Sequence, residues 1–269
     1  MIRPSIVLAL VRRQVLVFTR NPVRMLELFF WPIVQLLVWG FTATYIQQAE
    51  PGNDPQFRQF ILFLVGAIIL WDSLFRSQQG VAMSFLEDVW TRNLLNLFAA
   101  PVRMHEYLTA SFVVGCMRVV ITAAALCVIA LTTYSFNLFQ FEWTLFLFYG
   151  NLMMFGWALG MFSTSLVLRF GHGAESLAWA TPFMIQPFAC VFYELDVLPP
   201  WMQWIASALP PAHIFEGMRE ILRTGVIDPT KLLTAVVLNL VYFTLASLLF
   251  LRMLGIARER GLLVKTASS

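Results

Sequence analysis

Six long apolar segments constrain the fold of this chain more than any other feature of its sequence. They cover residues 26–46, 60–83, 107–134, 142–168, 176–193 and 232–254. Only 12% of the residues are charged, against about 25% in an ordinary soluble domain. Because lipid offers the backbone no hydrogen-bond partner, each segment is expected to be a helix. The sequence therefore predicts a single all-α membrane domain over residues 1–269, with six transmembrane helices.

The distribution of Lys and Arg predicts the orientation of these helices. An N-terminus placed in the cytoplasm puts twelve basic residues on that side and four outside, which follows the positive-inside rule. The inner set is Arg3, Arg12, Arg13, Arg20, Arg24, Arg92, Arg103, Arg169, Arg252, Arg258, Arg260 and Lys265, and the outer set is Arg58, Arg219, Arg223 and Lys231. We therefore expect a multi-pass protein of the plasma (inner) membrane with both termini in the cytoplasm.

Two amphipathic helices are predicted on the cytoplasmic side. The first covers Pro4–Thr19, within an N-terminal segment of residues 1–25, and is expected to lie on the membrane surface with Arg13 and Arg20 on one face. The second covers residues 86–98, with Glu87, Asp88 and Arg92 on its polar face. This loop helix is either a surface connector between two spans or a docking element for a cytoplasmic partner.

The fifth apolar segment and the residues after it have an unusual pattern of prolines. Pro182 and Pro187 interrupt the segment, and the pairs Pro199-Pro200 and Pro210-Pro211 bracket a short helix rich in tryptophan. A second amphipathic helix follows. Residues 194–225 are therefore predicted to form re-entrant or external helices.

A few ionisable residues fall inside the predicted spans. Asp72 and Arg76 are four residues apart in the second span, and Arg118 lies in the third. They either have a structural role, as an ion pair or as an arginine that snorkels to the cytoplasmic end, or line a substrate pathway. Glu194 and Asp196 are candidates for an outer gate of that pathway, the alternative being that both are solvated loop acids. No metal-binding or catalytic cluster is legible, and the three cysteines have no CxxC partner. The pair Gly156 and Gly160 forms a GxxxG motif, which is expected to pack within the chain.

Two separated segments carry a resemblance to a known family. TRNLLNLFAAPVRMHEYL, residues 91–108, and LDVLPPWMQWIASALPPAHIFEGMRE, residues 195–220, are similar to signature segments of the ABC-2 type transporter permeases. The second segment departs from the pattern at Pro210-Pro211, where the family is expected to have a polar residue before a single proline. The resemblance implies six spans, a cytoplasmic coupling helix, and an N-terminal interface helix that also touches the ATPase.

The resemblance also assigns roles to individual residues and partners. It implies a permease subunit that pairs with a second copy of itself and with two copies of a separate ATPase subunit. The coupling residues would be Glu87, Asp88, Trp90, Arg92, Asn93 and Pro101, and those of the interface helix Arg12, Arg13 and Arg20. ATP and magnesium would bind to the ATPase, since this chain has no GxxxxGK[ST] loop and no cofactor of its own.

The expected function is export of a lipid-linked glycan, a lipid or an amphiphilic drug along a path at the interface of two permease copies. Nucleic acid is not an expected partner, since no basic run mixed with aromatics is present. Two alternatives remain open from the sequence: an integral membrane enzyme that modifies lipids, and a membrane scaffold that transports nothing. Substrate-stimulated ATPase activity separates transport from scaffolding.

Overall fold

The computed structural model describes residues 3–49, 55–91, 93, 96–97, 100–226 and 228–259. The regular structure of these residues is helical, with no strand among them, which confirms the all-α prediction. The α-helices are α1 (Pro4–Thr19), α2 (Pro22–Ala49), α3 (Pro55–Trp90), α4 (Met104–Tyr134), α5 (Thr144–Phe170), α6 (Glu175–Ile185), α7 (Pro200–Ser207), α8 (Pro210–Thr224) and α9 (Pro229–Glu259). Short 3-10 turns occur at Leu138–Phe141, Gly171–Ala174, Gln186–Phe188 and Leu195–Val197.

Five of these helices are long and apolar enough to cross a membrane. The spanning parts are Pro22–Ile46, Gln59–Trp90, Met104–Tyr134, Thr144–Phe170 and Pro229–Glu259. Each has at least 25 residues, more than the roughly 20 that a bilayer core requires. The chain is therefore a multi-pass membrane protein.

Helix α3 forms the centre of the bundle. In its most apolar stretch 83% of the residues are buried, against 22% in α2 and 17% in α9, which lie at the periphery. Glycines allow the backbones to approach closely: a Cβ atom on Gly156 would lie 2.5 Å from the Leu74 carbonyl oxygen, and one on Gly160 would lie 2.6 Å from Val81. The GxxxG motif thus packs within the chain, as predicted.

Two clusters of buried apolar residues lie one at each end of α3. We call these the Trp90 end and the Phe63 end of the bundle. The Trp90-end cluster includes residues from α1 and from the last turns of α9, such as Leu10 and Ala257, beside Val89. The Phe63-end cluster includes Phe136 and residues of α8. Both ends of the described chain therefore lie at the Trp90 end.

The predicted fifth span is not one long helix. Residues 175–185 form α6, only 11 residues long, with Pro182 inside it, and Pro187 follows in a 3-10 turn. Proline lacks an amide hydrogen and clashes with the preceding turn, which explains why the helix is broken. The interruption agrees with the two prolines, and a membrane crossing by residues 176–193 stays a prediction.

The broken segment nevertheless runs along the length of α3. Glu175 accepts a hydrogen bond from Trp90, the Ala178 carbonyl accepts one from Gln78, and the Phe183 ring packs against Phe75. Beyond α6, the carbonyl of Tyr193 accepts a hydrogen bond from Arg219, whose guanidinium carbon lies 4.2 Å from the centroid of the Phe63 ring. Residues 175–193 thus connect the Trp90 end to the Phe63 end.

The predicted loop helix over residues 86–98 also has different bounds. Residues 86–90 are the last turns of α3 rather than the start of a separate helix. Further on, Asn96 and Leu97 are helical, and Arg92 lies outside the described residues. The apolar and polar faces of Leu86–Trp90 continue those of the preceding turns, so nothing in this sequence ends α3 before Trp90.

Residues 194–225 form two short helices at the Phe63 end. Pro200 begins α7 and Pro210 begins α8, each at the first helical position, where a proline leaves no hydrogen bond unmade. The buried Arg219 of α8 donates to the carbonyl oxygens of Cys190 and Tyr193 and pairs with Glu216 at 2.6 Å. These contacts hold α8 against the end of the broken segment, and an external or re-entrant position of the two short helices stays a prediction.

Candidate functional site

A network of polar side chains joins three helices at the Trp90 end. Asp88, in the last turn of α3, is only 1% exposed. Its carboxylate accepts hydrogen bonds from Arg13 of α1, from the Tyr107 hydroxyl of α4 at 2.9 Å, and from the Asn93 amide at 3.1 Å. A buried carboxylate is tolerated when charged and neutral donors surround it in this way. Asp88 therefore fastens α1, α3 and α4 to one another.

A second buried acid fixes the start of α4. The carboxylate of Glu106 is fully buried and accepts hydrogen bonds from the Nε atom of Arg3 at 2.8 Å and from the backbone amide of Arg103 at 2.9 Å. Arg3 also donates to the Pro101 carbonyl oxygen. The hydrogen bond to Glu106 raises the pKa of Arg3. The chain just before α1 thus holds both α4 and the loop that precedes it.

Further pairs complete this network, which we call the polar junction. Arg24, near the start of α2, forms an ion pair with Glu87. The buried Gln14 of α1 donates to Ser111 at 3.4 Å and accepts from Ser84 at 3.3 Å. The junction therefore connects α1 and the first turns of α2 and α4 to the end of α3.

The residues predicted to couple to an ATPase fall into different environments. Asp88 is buried and pairs with Arg13, and the half-buried Glu87 pairs with Arg24, so the predicted polar face of this segment meets basic side chains of the protein. The coupling role of these residues stays a prediction. Trp90 is exposed by 41% and donates to Glu175 at 2.8 Å. Asn93 and Pro101 belong to the polar junction through their bonds to Asp88 and Arg3, and Arg92 lies outside the described residues.

Helix α1 has the predicted bounds and presents two different faces. Leu10, Val11 and Gln14 are buried against the bundle. Arg12 and Arg20 are exposed, next to exposed apolar side chains such as Leu8. Arg13 and Arg20 lie on the same side of the helix, as predicted, and line one shallow cavity, while the end of the Arg13 side chain reaches Asp88. A position of α1 at the membrane interface stays a prediction.

A cleft of about 700 Å³ lies between α2, α3, α4 and α6. Its walls include eight aromatic side chains, namely Phe18, Trp31, Trp39, Trp71, Phe75, Trp90, Trp179 and Phe183. Charged and amide groups face the same space, namely Arg24, Glu27, Gln35, Asp72, Arg76, Gln79, Glu87 and Arg118. The cleft thus combines a large apolar surface with charged and amide groups, so it is suited to a ligand that has both apolar and polar parts.

The structure brings together three of the four predicted pathway residues, because Asp72, Arg76 and Arg118 line the same cleft. Arg76 donates to Asp72 at 3.1 Å and to Gln79 at 3.0 Å, and all three line the cleft. Glu194 is elsewhere: it pairs with Arg223 and lines a separate cavity of about 510 Å³ at the Phe63 end. An outer gate that includes Glu194 stays a prediction.

Several residues of the site were not found from the sequence. Arg3, Glu106 and Tyr107 complete the polar junction, but their partners are up to 103 residues away in the chain. The only local signal is Glu106 three residues after Arg103, the spacing at which an acid bonds the amide at a helix start. In the described part of the chain, no group of three or more His, Cys, Asp or Glu side chains is placed to hold a metal ion.

The helices and the site together define a multi-pass helical membrane protein with an amphiphilic cleft and a polar junction at one end. The family model of the ABC-2 type transporter matches residues 6–222, most of the sequence, and the chain belongs to that family. No curated protein matches the chain significantly. Family membership makes the chain the permease component of an ABC transporter, which works in the membrane with an ATP-binding cassette ATPase.

Proposed function

We propose that this permease exports an amphiphilic molecule, as one half of a dimer of identical chains driven by two copies of a separate ATPase. The proposed cargo is a lipid-linked glycan, a lipid or an amphiphilic drug. ATP and magnesium bind to the ATPase. The Trp90 end of the bundle faces the cytoplasm of the plasma (inner) membrane, and the ATPase docks there.

The polar junction is the observation that carries this proposal. A partner that does mechanical work must push on a part of the permease that moves as a unit. Asp88 and Glu106 bind α1, the end of α3 and the start of α4 together through ion pairs in which the carboxylate is buried. A force applied to residues 91–103 would therefore be transmitted to α3, the most buried helix. Coupling of this kind requires contacts that differ between two states of the complex.

Six crossings of the membrane are part of the proposal. Arg3 and Ala257 lie at the same end of the bundle, and five long helices alone would leave them at opposite ends. The broken segment 175–193 runs from the Trp90 end to the Phe63 end, and we propose that it makes the remaining crossing. Protein on several sides of a broken segment can satisfy its free backbone groups.

The cleft supports the choice of an amphiphilic cargo. Trp31 and Phe183 on its walls are 61% and 55% exposed, while Asp72 and Arg76 lie buried at its base. We propose that a second copy packs near this exposed wall, so that the cleft becomes part of a path between the two copies. An aromatic wall beside ion pairs suits a molecule with an apolar part and a polar head.

Two matched substitutions test the docking site. Thr91 and Thr224 are both exposed, and each donates its hydroxyl to the carbonyl four residues earlier, at 2.7 Å and 2.8 Å, at opposite ends of the bundle. The tagged protein is purified in mild detergent from its native membrane, and the bound ATPase is quantified by mass spectrometry. We expect Thr91→Arg to reduce the bound ATPase at least fivefold and Thr224→Arg to leave it unchanged. Equal retention by both variants would refute docking at the Trp90 end.

A further inference from the structure

Arg118 is a buried cation that has no counterion among the described residues. It lies within α4, is 8% exposed, and faces the cleft. Its Nε atom has no hydrogen-bond partner, and no carboxylate oxygen of the described residues lies within the 4.0 Å of an ion pair. The ring of Phe18 covers one face of the guanidinium, with 4.7 Å between the guanidinium carbon and the ring centroid. This contact uses the face of the guanidinium, and no described residue accepts a hydrogen bond from its edge.

The other charged groups of the cleft do not neutralise Arg118 directly. Glu87 is paired with Arg24, and Asp72 is paired with Arg76. Glu27 is the remaining acid that lines the cleft. It is exposed on α2 and, among the described residues, has no cation at ion-pair distance. Each buried acid of the cleft is therefore already paired with another arginine, and the positive charge of Arg118 is left over.

A guanidinium in such a place is suited to bind an anion. It carries five N–H donors in a planar fork that matches the oxygens of a phosphate or a carboxylate. A buried charge in a membrane protein is costly unless it is paired, and residues of this kind are commonly functional. Since the surrounding walls are aromatic, a ligand that pairs with Arg118 would at the same time place an apolar part against Trp71 and Phe75.

We propose that Arg118 binds the anionic head group of an amphiphile, a phosphate or a carboxylate, whose apolar part lies on the aromatic wall of the cleft. The inference rests on the proposed function in that it narrows the cargo to anionic amphiphiles. It assigns Arg118 as the residue that selects the charge of the ligand. Arg76, which is already paired with Asp72 and Gln79, orients the polar side of the cleft.

The binding test uses the full chain in dodecyl maltoside micelles, without any ATPase. Radiolabelled dodecyl phosphate is titrated, and its concentration is expressed as its mole fraction in the micelle. The detergent has the same dodecyl chain but a neutral head group, so it serves as the uncharged competitor. We expect saturable binding to the wild type, and Arg118→Gln to require at least a tenfold higher mole fraction. Arg118→Lys should fall between them, because it keeps the charge and loses the fork. Arg169→Gln, an exposed arginine of α5, is the matched control and should bind as the wild type does.

Competition with inorganic phosphate separates a site for an amphiphile from a site for the free anion. Unlabelled inorganic phosphate should not displace dodecyl phosphate at millimolar concentration, since it lacks the apolar part. Displacement by inorganic phosphate, or unchanged binding to Arg118→Gln, would overturn the proposal. Because the ATPase is absent, failure here leaves the docking test untouched, and failure of docking leaves this result untouched.

The stability of the unliganded protein tests whether Arg118 has a merely structural role. Removing an unpaired buried charge should leave thermal unfolding of Arg118→Gln at the wild-type temperature or above it. Arg76→Gln, which leaves Asp72 unpaired, should lower the unfolding temperature. A clear loss of stability in Arg118→Gln would instead mean that the arginine is paired within the fold, and would contradict the proposal.

Discussion

Asp88 and Glu106 determine how the Trp90 end is held together. Each is a buried carboxylate whose basic partner comes from the N-terminal region, Arg13 and Arg3 respectively. Burying either acid without its arginine would cost far more than burying the pair, so these contacts fix where α1 lies. The position of α1 is therefore a consequence of charge pairing as well as of its apolar face.

Neighbouring arginines of α1 provide a test at the residue scale. Arg13→Gln should lower the free energy of unfolding by about 2 kcal/mol, somewhat less than for a fully buried pair because the Arg13 side chain is 35% exposed. Arg12→Gln, one residue earlier and exposed, should change it by less than about 0.5 kcal/mol. Reversible unfolding of the purified protein in neutral detergent measures both. Equal effects would show that the Asp88 pair contributes no more than surface charge.

The sequence predicted Glu87 and Asp88 as residues of the site, but it predicted neither Glu106 nor the environment of these acids. A helical wheel compares residues within one helix, and it grouped Glu87 and Asp88 as a polar face. It carries no information about Arg13, which is 75 residues away from Asp88 in the chain. The pair Asp72 and Arg76 was predictable because both partners lie on one helix at a spacing of four.

At the scale of helices, small residues set the distance between α3 and its neighbours. Gly80 of α3 faces Gly115 of α4, where an added Cβ atom would lie 2.6 Å from the Gly115 Cα atom. Gly156 and Gly160 play the same part on α5. In a membrane, an apolar side chain is solvated by lipid about as well as by another helix. Close packing of this kind therefore contributes much of the free energy of association between membrane helices.

Two glycines of α5 form a matched pair for testing this packing. Gly156→Ala places a methyl group against the Leu74 carbonyl and should destabilise the protein by about 1–3 kcal/mol. Gly150→Ala meets nothing within 4 Å and should stabilise it by up to about 1 kcal/mol through helix propensity. Thermal unfolding in detergent shows which of the two variants has the higher unfolding temperature. If both variants unfold at the same temperature, the close approach of α5 to α3 does not limit stability.

Hydropathy located the helices well but could not describe the interrupted one. The five long spans were predicted within a few residues at most ends, because a long apolar run has one stable form in lipid. Pro182 and Pro187 signalled an interruption, but how the chain continues depends on tertiary contacts such as that between Phe183 and Phe75. The end of α3 at Trp90 was also missed, since its amphipathic last turns resemble a separate helix.

At the scale of the whole molecule, the proposed mechanism needs one helix to connect both ends. Helix α3 reaches from the Phe63 end, beside Arg219, through the cleft at Asp72 and Arg76, to the polar junction at Asp88. A displacement of α3 at the polar junction would therefore also move the residues of α3 that line the cleft. The chain is a permease because it belongs to the ABC-2 type transporter family. The route of coupling along α3 is our proposal.

The most direct measurement of that proposal is site-specific photo-crosslinking in intact cells. A photoreactive amino acid is placed at Asn96, which is exposed and helical just beyond the Trp90 end, and at Trp204, which is 80% exposed on α7. Docking at the Trp90 end predicts a crosslink from Asn96 to a subunit that carries the ATP-binding Walker motif, and no such product from Trp204. A crosslink to the ATPase from Trp204, or from neither position while the complex still purifies intact, would contradict it.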